Sequence, residues 1–499
     1  MPVLKIDGKE IEVEKGTNLI IAALKAGVYI PHYCYHPLLP VAAQCRMCFV
    51  KIEGMPRPTT ACTITVDKDM VVDTKDEKVR KLRNLALEML LQHHPVDCPV
   101  CPRSGECDLQ NFTYIWGPEK KRYDGKRRLK GWSRVSEKIL LFKERCVLCT
   151  RCVRYLEDFV KVGGITVSRR GFLSDLVIFP EKFVNSNYSG NIVDLCPVGA
   201  LVDEATVYLP RAWRTKKALT RCPLCEKGCR IVVESWKGKI VRVKTFDNML
   251  DKAEEHLYTK NEELIQPAYQ EIEGIEEIGA HSYDKLYTED LIICDIGRWG
   301  WREFFFPRDE NFYSLSDGKA EKLDWESFKG ISKRFFAFKK RAIFITPFAT
   351  NEEMLAFKEL AEKSGSDISL IYPIIKEGDN MLLKPTRAPN FKGGEKILGG
   401  INEDIIRKAM LGEYDAVILY SLGADKTKFD ASKIKSEFLI VMDNFPPQKV
   451  QVQALFFPAT LPYEKKGTYT FEGEEKKIYP VHKKTPNELD FANFLLNII

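Results

Sequence analysis

Apolar and polar residues alternate along the opening stretch MPVLKIDGKEIEVEKG, the period-two pattern of half-buried strands, and Asp7-Gly8 supplies a hairpin turn inside it. Thr17 predicts the cap of a short helix over residues 18–26, stopped by Gly27. Further on the period becomes helical. Val79, Leu82, Leu85, Ala86, Met89 and Leu90 form an apolar stripe, and Thr74 with Glu77 predicts a capping box in front of it. That helix is expected to end at Gln92-His93-His94-Pro95, because a proline favours an extended conformation in the residue before it.

Over residues 306–499 the two periods take turns. Strands are predicted at 341–346, 368–372, 416–420 and 438–442. Helices are predicted from a Thr350/Glu353 cap to Lys363 and near 403–410, the order of an α/β domain. No apolar run approaches the roughly 18 residues of a membrane span; Ala416 to Tyr420 and Ala454 to Phe457 are strand-sized. The opening residues lack a basic-then-apolar leader, so the expectation is a cytosolic chain whose membrane contact goes through partners.

Composition alters this picture at one point. With 499 residues, 44% hydrophobic and 29% charged, the chain can bury the cores of several domains and is not disordered. Its 76 Lys and Arg against 70 Asp and Glu leave a net charge of +6, too mild to suggest nucleic-acid binding. The basic run Lys120, Lys121, Arg122, Lys126, Arg127, Arg128, Lys130, interleaved with Tyr123 and Trp132, therefore reads as a solvated loop or partner-subunit contact, and Arg169-Arg170 as surface. The unusual feature is 15 cysteines beside 7 histidines. A chain of this length needs no disulfide staples, and in a reducing compartment such cysteines are expected to bind metal.

The cysteines fall into four groups. Cys34, Cys45, Cys48 and Cys62 have the layout of a plant-type [2Fe-2S] ferredoxin loop, with a longer first gap; together with the opening hairpin and helix they predict a β-grasp ferredoxin domain over 1–75. The bland alternative is buried structural cysteines with one zinc half-site. His94, Cys98, Cys101 and Cys107 fit either a structural zinc site or an iron–sulfur cluster with one imidazole ligand, and His93 competes with His94. Cys146, Cys149 and Cys152 are spaced to wrap one cubane cluster, completed by Cys196, which precedes Pro197. The matching second triad would fall on Ser186, Ser189 and Ile192, so this half of a duplicated ferredoxin has kept only the Cys-Pro ligand for its twin. The last group is Cys222, Cys225 and Cys229, with Cys294 beyond a 64-residue gap that carries an acidic excursion around Glu254 to Glu277. Zinc could use that spacing too, and His256 is the alternative fourth ligand. Fifteen cysteines plus His94 make sixteen donors, enough for four sites of four with no thiol left over.

In this order the motifs resemble the large iron–sulfur subunit of the peripheral arm of respiratory complex I, the NADH-quinone oxidoreductase-G family, over residues 1–300. The Cys222 segment, with Ile293-Cys294-Asp295-Ile296-Gly297-Arg298, resembles the cluster domain of molybdopterin oxidoreductases, and Phe457-Pro458-Ala459-Thr460 and Glu464-Lys465-Lys466-Gly467-Thr468 look like signatures of that superfamily. The resemblance implies an α+β multidomain chain: β-grasp ferredoxin (1–75), Cys/His iron–sulfur segment (76–135), bacterial-ferredoxin-like domain (136–215), molybdopterin-oxidoreductase-like cluster domain (216–305) and a reduced α/β scaffold (306–499). It implies one [2Fe-2S] cluster on Cys34, Cys45, Cys48 and Cys62. It implies three [4Fe-4S] clusters: on His94, Cys98, Cys101 and Cys107; on Cys146, Cys149, Cys152 and Cys196; and on Cys222, Cys225, Cys229 and Cys294. No molybdopterin is expected, since no cysteine remains for the metal. No Gly-x-Gly-x-x-Gly loop follows a strand, so NADH and flavin are expected on a partner. The implied role is an electron relay from that flavin-bearing partner to quinone-side iron–sulfur subunits, at the inner face of the cell membrane. The competing readings are a diaphorase-type subunit of an NAD-linked hydrogenase or formate dehydrogenase, and a zinc-binding scaffold. A catalytic iron-only hydrogenase would need more downstream cysteines than Cys294.

Overall fold

The structure is a computed structural model that describes residues 1–120, 122, 130–179, 184–246, the short strand segments 259–260, 263–264 and 272–273, and residues 291–302, 309–316, 319–448, 452–481 and 486–499. Its contacts divide the chain into two units. One comprises Met1–Lys217, Glu234–Glu271 and His281–Asp295; the other comprises Ala218–Val233, Ile272–Ala280 and Ile296–Ile499.

In the first unit, Val3–Ile6 pairs antiparallel with Lys9–Glu12 across the Asp7-Gly8 turn and parallel with Met70–Asp73. Phe49–Ile52 and Thr59–Thr60 complete a five-stranded sheet. Helix α1 (Leu19–Lys25) covers it, packing Leu19, Ile20, Ala23 and Leu24 against Leu4, Ile6, Val50 and Val72. The opening hairpin and helix form as expected, with a shifted cap. Asn18, not Thr17, accepts from the Ile20 amide, while Thr17 pairs with Val66 in a short ladder. An asparagine cap of this kind stabilises a helix by about 1 kcal/mol.

Helix α2 (Glu77–Leu91) departs further from expectation. Its cap is Asp76, which accepts from the Lys78 and Val79 amides, and Thr74 instead bonds Asp7. The predicted stripe is buried only in part: Val79 is buried and Leu82, Ala86 and Leu90 are half-buried, but Leu85 and Met89 are exposed, and Arg83, Leu87 and Glu88 are buried in their place. The Arg83 guanidinium donates to the carbonyls of Met47, Phe49 and Thr74, so the helix turns a cation inward to satisfy the backbone beside Cys48. Past helix α3 (Asp108–Trp116), a three-stranded sheet orders Leu201–Asp203, Ile139–Phe142 and Trp132–Arg134, and Ile165–Ser168 pairs with Asp175–Ile178. Of the basic run, Arg122 pairs with Glu88 and Lys130 with Asp175 at 3.2 Å; residues 121 and 123–129 lie outside the described residues. Arg169 and Arg170 are exposed, as expected.

The second unit is built on a seven-stranded sheet in the order Lys319–Leu323, Phe312–Ser316, Gln453–Pro458, Phe438–Asp443, Ala416–Tyr420, Arg341–Ile345, Asp367–Leu370. The last five are parallel, which requires both faces to be covered. Ile343, Ile345, Ile418 and Tyr420 face the helices Asn351–Ser364 and Glu488–Leu496, while Ala342, Phe344, Val417 and Leu419 face the Glu403–Leu411 side. Strands therefore read as continuous apolar runs, and the Thr350/Glu353 capping box forms as predicted.

Candidate metal centres

At the first site, Cys34, Cys48 and Cys62 are buried and Cys45 is partly exposed. The Cys34 and Cys45 sulfurs lie 3.4 Å apart. Sharing a proton across that contact holds the Cys34 thiol down at about 5 and pushes Cys45 up; the Cys48–Cys62 contact likewise raises Cys48 and lowers Cys62. Ala43 and Arg46, flanking Cys45, both take left-handed conformations, and the Tyr33 amide donates to Cys45 Sγ at 3.4 Å. Amide-to-sulfur hydrogen bonds of this kind are what tune a cluster's potential.

At the second site, His94, Cys98 and Cys107 line one cavity of about 340 Å³, together with Leu91, Leu109 and Gln110. His93 does not line it. The fourth residue, Cys101, is approached from elsewhere: a β-carbon on Gly199 would stand 2.3 Å from Cys101 Sγ. Only a glycine fits there. Burial raises the thiols of Cys101 and Cys107, the latter to about 12. Beside Cys107, Glu106 is buried, which disfavours its charge, but Arg242 at 2.7 Å, Lys244 and Arg103 hold its carboxyl well below the usual range.

At the third site, Cys146, Cys149, Cys152 and Cys196 belong to one compact loop set. Leu148 and Thr150 adopt left-handed conformations around Cys149, and the Leu148 amide donates to Cys146 Sγ at 3.3 Å. Burial pushes the thiols of Cys146, Cys149 and Cys152 up, Cys149 to about 11 and Cys152 further. These three would be neutral without metal and become thiolates on binding it.

Of the last group, Cys222, Cys225 and Cys229 are buried in the second unit. The Cys222 amide bonds the Cys229 carbonyl at 2.8 Å, and Gly228, in a left-handed conformation, rests on the Phe471 ring. Cys294 is buried in the first unit. Its neighbours dock on the degenerate ferredoxin half: Ser189 Oγ donates to Asp295 at 2.5 Å, and Asn191 bonds the backbone of Ile293 on both sides. Ile192 is core. Ser189, one of the three positions of the missing triad, and its neighbours Gly190 and Asn191 thus anchor the segment that carries Cys294. The alternative ligand His256 and most of the acidic excursion lie outside the described residues.

The first three sites interlock. Arg103 donates to the Cys196 carbonyl at 3.1 Å, the Asp108 amide to the Pro197 carbonyl at 3.1 Å, and Arg145, before Cys146, pairs with Asp97, before Cys98. Arg154 donates to the carbonyls of both Cys34 (2.5 Å) and Cys149 (3.3 Å), and Gln44 to the Leu148 carbonyl and Thr150. The Tyr33 ring lies 5.1 Å from Phe112 of α3, the helix that follows Cys107. Sequence reasoning missed these arginines and Gly199; the only signal was their adjacency to the cysteine motifs. Among the described residues no group of three or more His, Cys, Asp or Glu side chains converges as around a single metal ion.

Three segments match known families. Residues 3–77 match a 2Fe-2S iron-sulfur cluster binding domain, residues 83–122 the NADH-ubiquinone oxidoreductase-G iron-sulfur binding region, and residues 136–202 the ferredoxin-like domain of NADH-quinone oxidoreductase subunit 3. The chain is 39% identical to the mitochondrial NADH-ubiquinone oxidoreductase 78 kDa subunit of Candida albicans over 241 residues, 48% of this chain and 33% of that one. It is 31% identical to the G-type subunit of the NADH-quinone oxidoreductase of Rickettsia bellii over 366 residues, 72% of this chain and 48% of that one. The chain thus spans at most about half the length of these two relatives. A solved structure of an NAD+-reducing [NiFe]-hydrogenase in the H2-reduced state is 28% identical, with a TM-score of 0.38 over 42% of this chain and 91% of that one. With its iron–sulfur segments matched in chain order, the chain belongs to the NADH-quinone oxidoreductase-G family.

Proposed function

We propose that the chain is the electron-relay subunit of an NADH-quinone oxidoreductase, passing single electrons from the flavin of a partner subunit toward quinone-side iron–sulfur subunits. Clusters bound at the four sites would supply one-electron redox chemistry. The ligand sets are Cys34, Cys45, Cys48 and Cys62 for one [2Fe-2S], and for three [4Fe-4S] they are His94, Cys98, Cys101 and Cys107; Cys146, Cys149, Cys152 and Cys196; and Cys222, Cys225, Cys229 and Cys294. The domains follow the division 1–75, 76–135, 136–215, 216–305 and 306–499, the last a molybdopterin-oxidoreductase-like scaffold without its own cofactor.

The observation that carries this reading is the hydrogen bonding between ligand loops. Arg103 grips the carbonyl of Cys196, and Arg154 those of Cys34 and Cys149, so three sites are fixed beside one another. Isolated structural zinc sites have no need of such linkage. Among the described residues no helix is long and apolar enough to cross a membrane, which fits attachment at the inner face of the cell membrane through partners.

EPR of the dithionite-reduced protein with iron analysis tests the proposal. The expected result is about fourteen iron atoms per chain and both cluster types. Colourless protein bearing zinc would overturn it.

A further inference from the structure

Arg151 lies between Cys149 and Cys152 and is only 4% exposed. Its guanidinium donates to the carbonyl of Tyr35, next to Cys34, at 2.6 Å, and to that of Leu195, next to Cys196, at 3.4 Å. It is therefore held between the ligand loops of the first and third sites. Among the described residues no carboxylate forms an ion pair with it, and its buried Nε has no hydrogen-bond partner. A guanidinium cannot shed its proton, and a buried charge without a counter-ion is strongly unfavourable.

His32 and His36, on the loop that carries Cys34, are buried close to Arg151. Asp108 is near enough to feel the cation, but it forms no ion pair with it. Arg154 adds a second positive charge, bonded to the Cys34 and Cys149 carbonyls. The loops that Arg151 bonds carry the sulfurs of the first and third sites, which become anionic when they bind metal.

We propose that Arg151, seconded by Arg154, is a counter-cation shared by the first and third iron–sulfur sites, raising the reduction potential of both together. The inference rests on the cluster reading above. Each site gains one negative charge on accepting an electron, and a fixed cation held between them favours the reduced form of each. Arg151 is a positioning and charge-setting residue and takes no part in bond making.

The test is an EPR redox titration of the full chain as wild type, Arg151→Gln and Arg151→Lys, with iron content measured on each. In Arg151→Gln the oxidised-to-reduced ratio of both signals at a fixed ambient potential is expected to rise at least tenfold, about 59 mV for one electron. Arg151→Lys, which keeps the charge but loses the fork, recovers most of that shift; a purely structural role predicts that Lys and Gln behave alike. Full iron content with unmoved potentials, or movement of one signal only, overturns the inference. Should Arg151→Gln lose iron at these sites, Arg154→Gln carries the test with the same joint shift expected and the same failures decisive. Absence of iron–sulfur signals in the wild type would instead remove the parent reading, and this one with it.

Discussion

Gly199 backs directly onto Cys101: the β-carbon of any other residue at 199 would stand 2.3 Å from the cysteine sulfur, and 3.5 Å from the Arg103 side chain. Gly199 comes three residues after Cys196, so the third site's Cys-Pro segment forms a wall of the second site.

Gly199→Ala is therefore expected to damage the second site from within the third. Overpacking a rigid contact costs about 1–3 kcal/mol, and here the strain falls on a ligand. The expected outcome is loss or broadening of the second site's EPR signal, with that of Cys146, Cys149, Cys152 and Cys196 retained. Equal loss of both signals would show that the segment supports the two sites alike.

His94 lines the cavity with Cys98 and Cys107, and His93 does not. Replacing a neutral imidazole by a thiolate adds a negative charge to the site, and histidine ligation raises cluster potentials where it replaces cysteine. His94→Cys is expected to lower the second site's potential, while His93→Ala leaves the cluster in place. A redox titration in which His94→Cys is unchanged or raised, or in which His93→Ala abolishes the signal, would reverse the assignment.

The cysteine spacing made the donors legible, because ligand loops are short and local. The elements of the second unit were legible too: the buried runs at Ala416–Tyr420 and Phe438–Asp443 admit few other readings. What spacing could not show were contacts between residues distant in the chain. Arg83 joins the buried face of α2, where its guanidinium serves three carbonyls, those of Met47, Phe49 and Thr74. Arg154 reaches back 120 residues to Cys34. In composition these arginines look like surface charge, and only the fold reveals that they are bound to backbone between sites.

Ser189 holds Asp295, and Asn191 holds Ile293, on either side of Cys294. If Cys294 is the fourth ligand proposed for the Cys222 group, Cys294→Ala loses one [4Fe-4S] signal and about four iron atoms per chain. Ser189→Ala keeps the cysteine but removes a hydrogen bond to a carboxylate, which is worth about 1.5–3 kcal/mol. It is expected to make that same signal the first lost on warming. Retention of every signal in Cys294→Ala would point to a different ligand.

In the second unit Lys465 is buried with two carboxylates, bonding Glu353 at 2.6 Å and lying 3.9 Å from Glu488. One ammonium cannot balance two buried carboxylates, so a proton stays with the group. Burial, reinforced by Glu488 and opposed by Lys465, raises Glu353 to about 7. A carboxyl whose folded value lies above its unfolded value of about 4.3 binds more protons in the native state. The stability it contributes is thus fully present below the unfolded value and is lost as pH rises through the folded one. Denaturant titration across pH 4.5–8 is expected to show this unit losing stability as pH rises, under conditions that leave other groups in one ionisation state. Glu488→Gln, which removes one of the two negative charges for good, should flatten that slope; an unchanged slope would place the retained proton elsewhere.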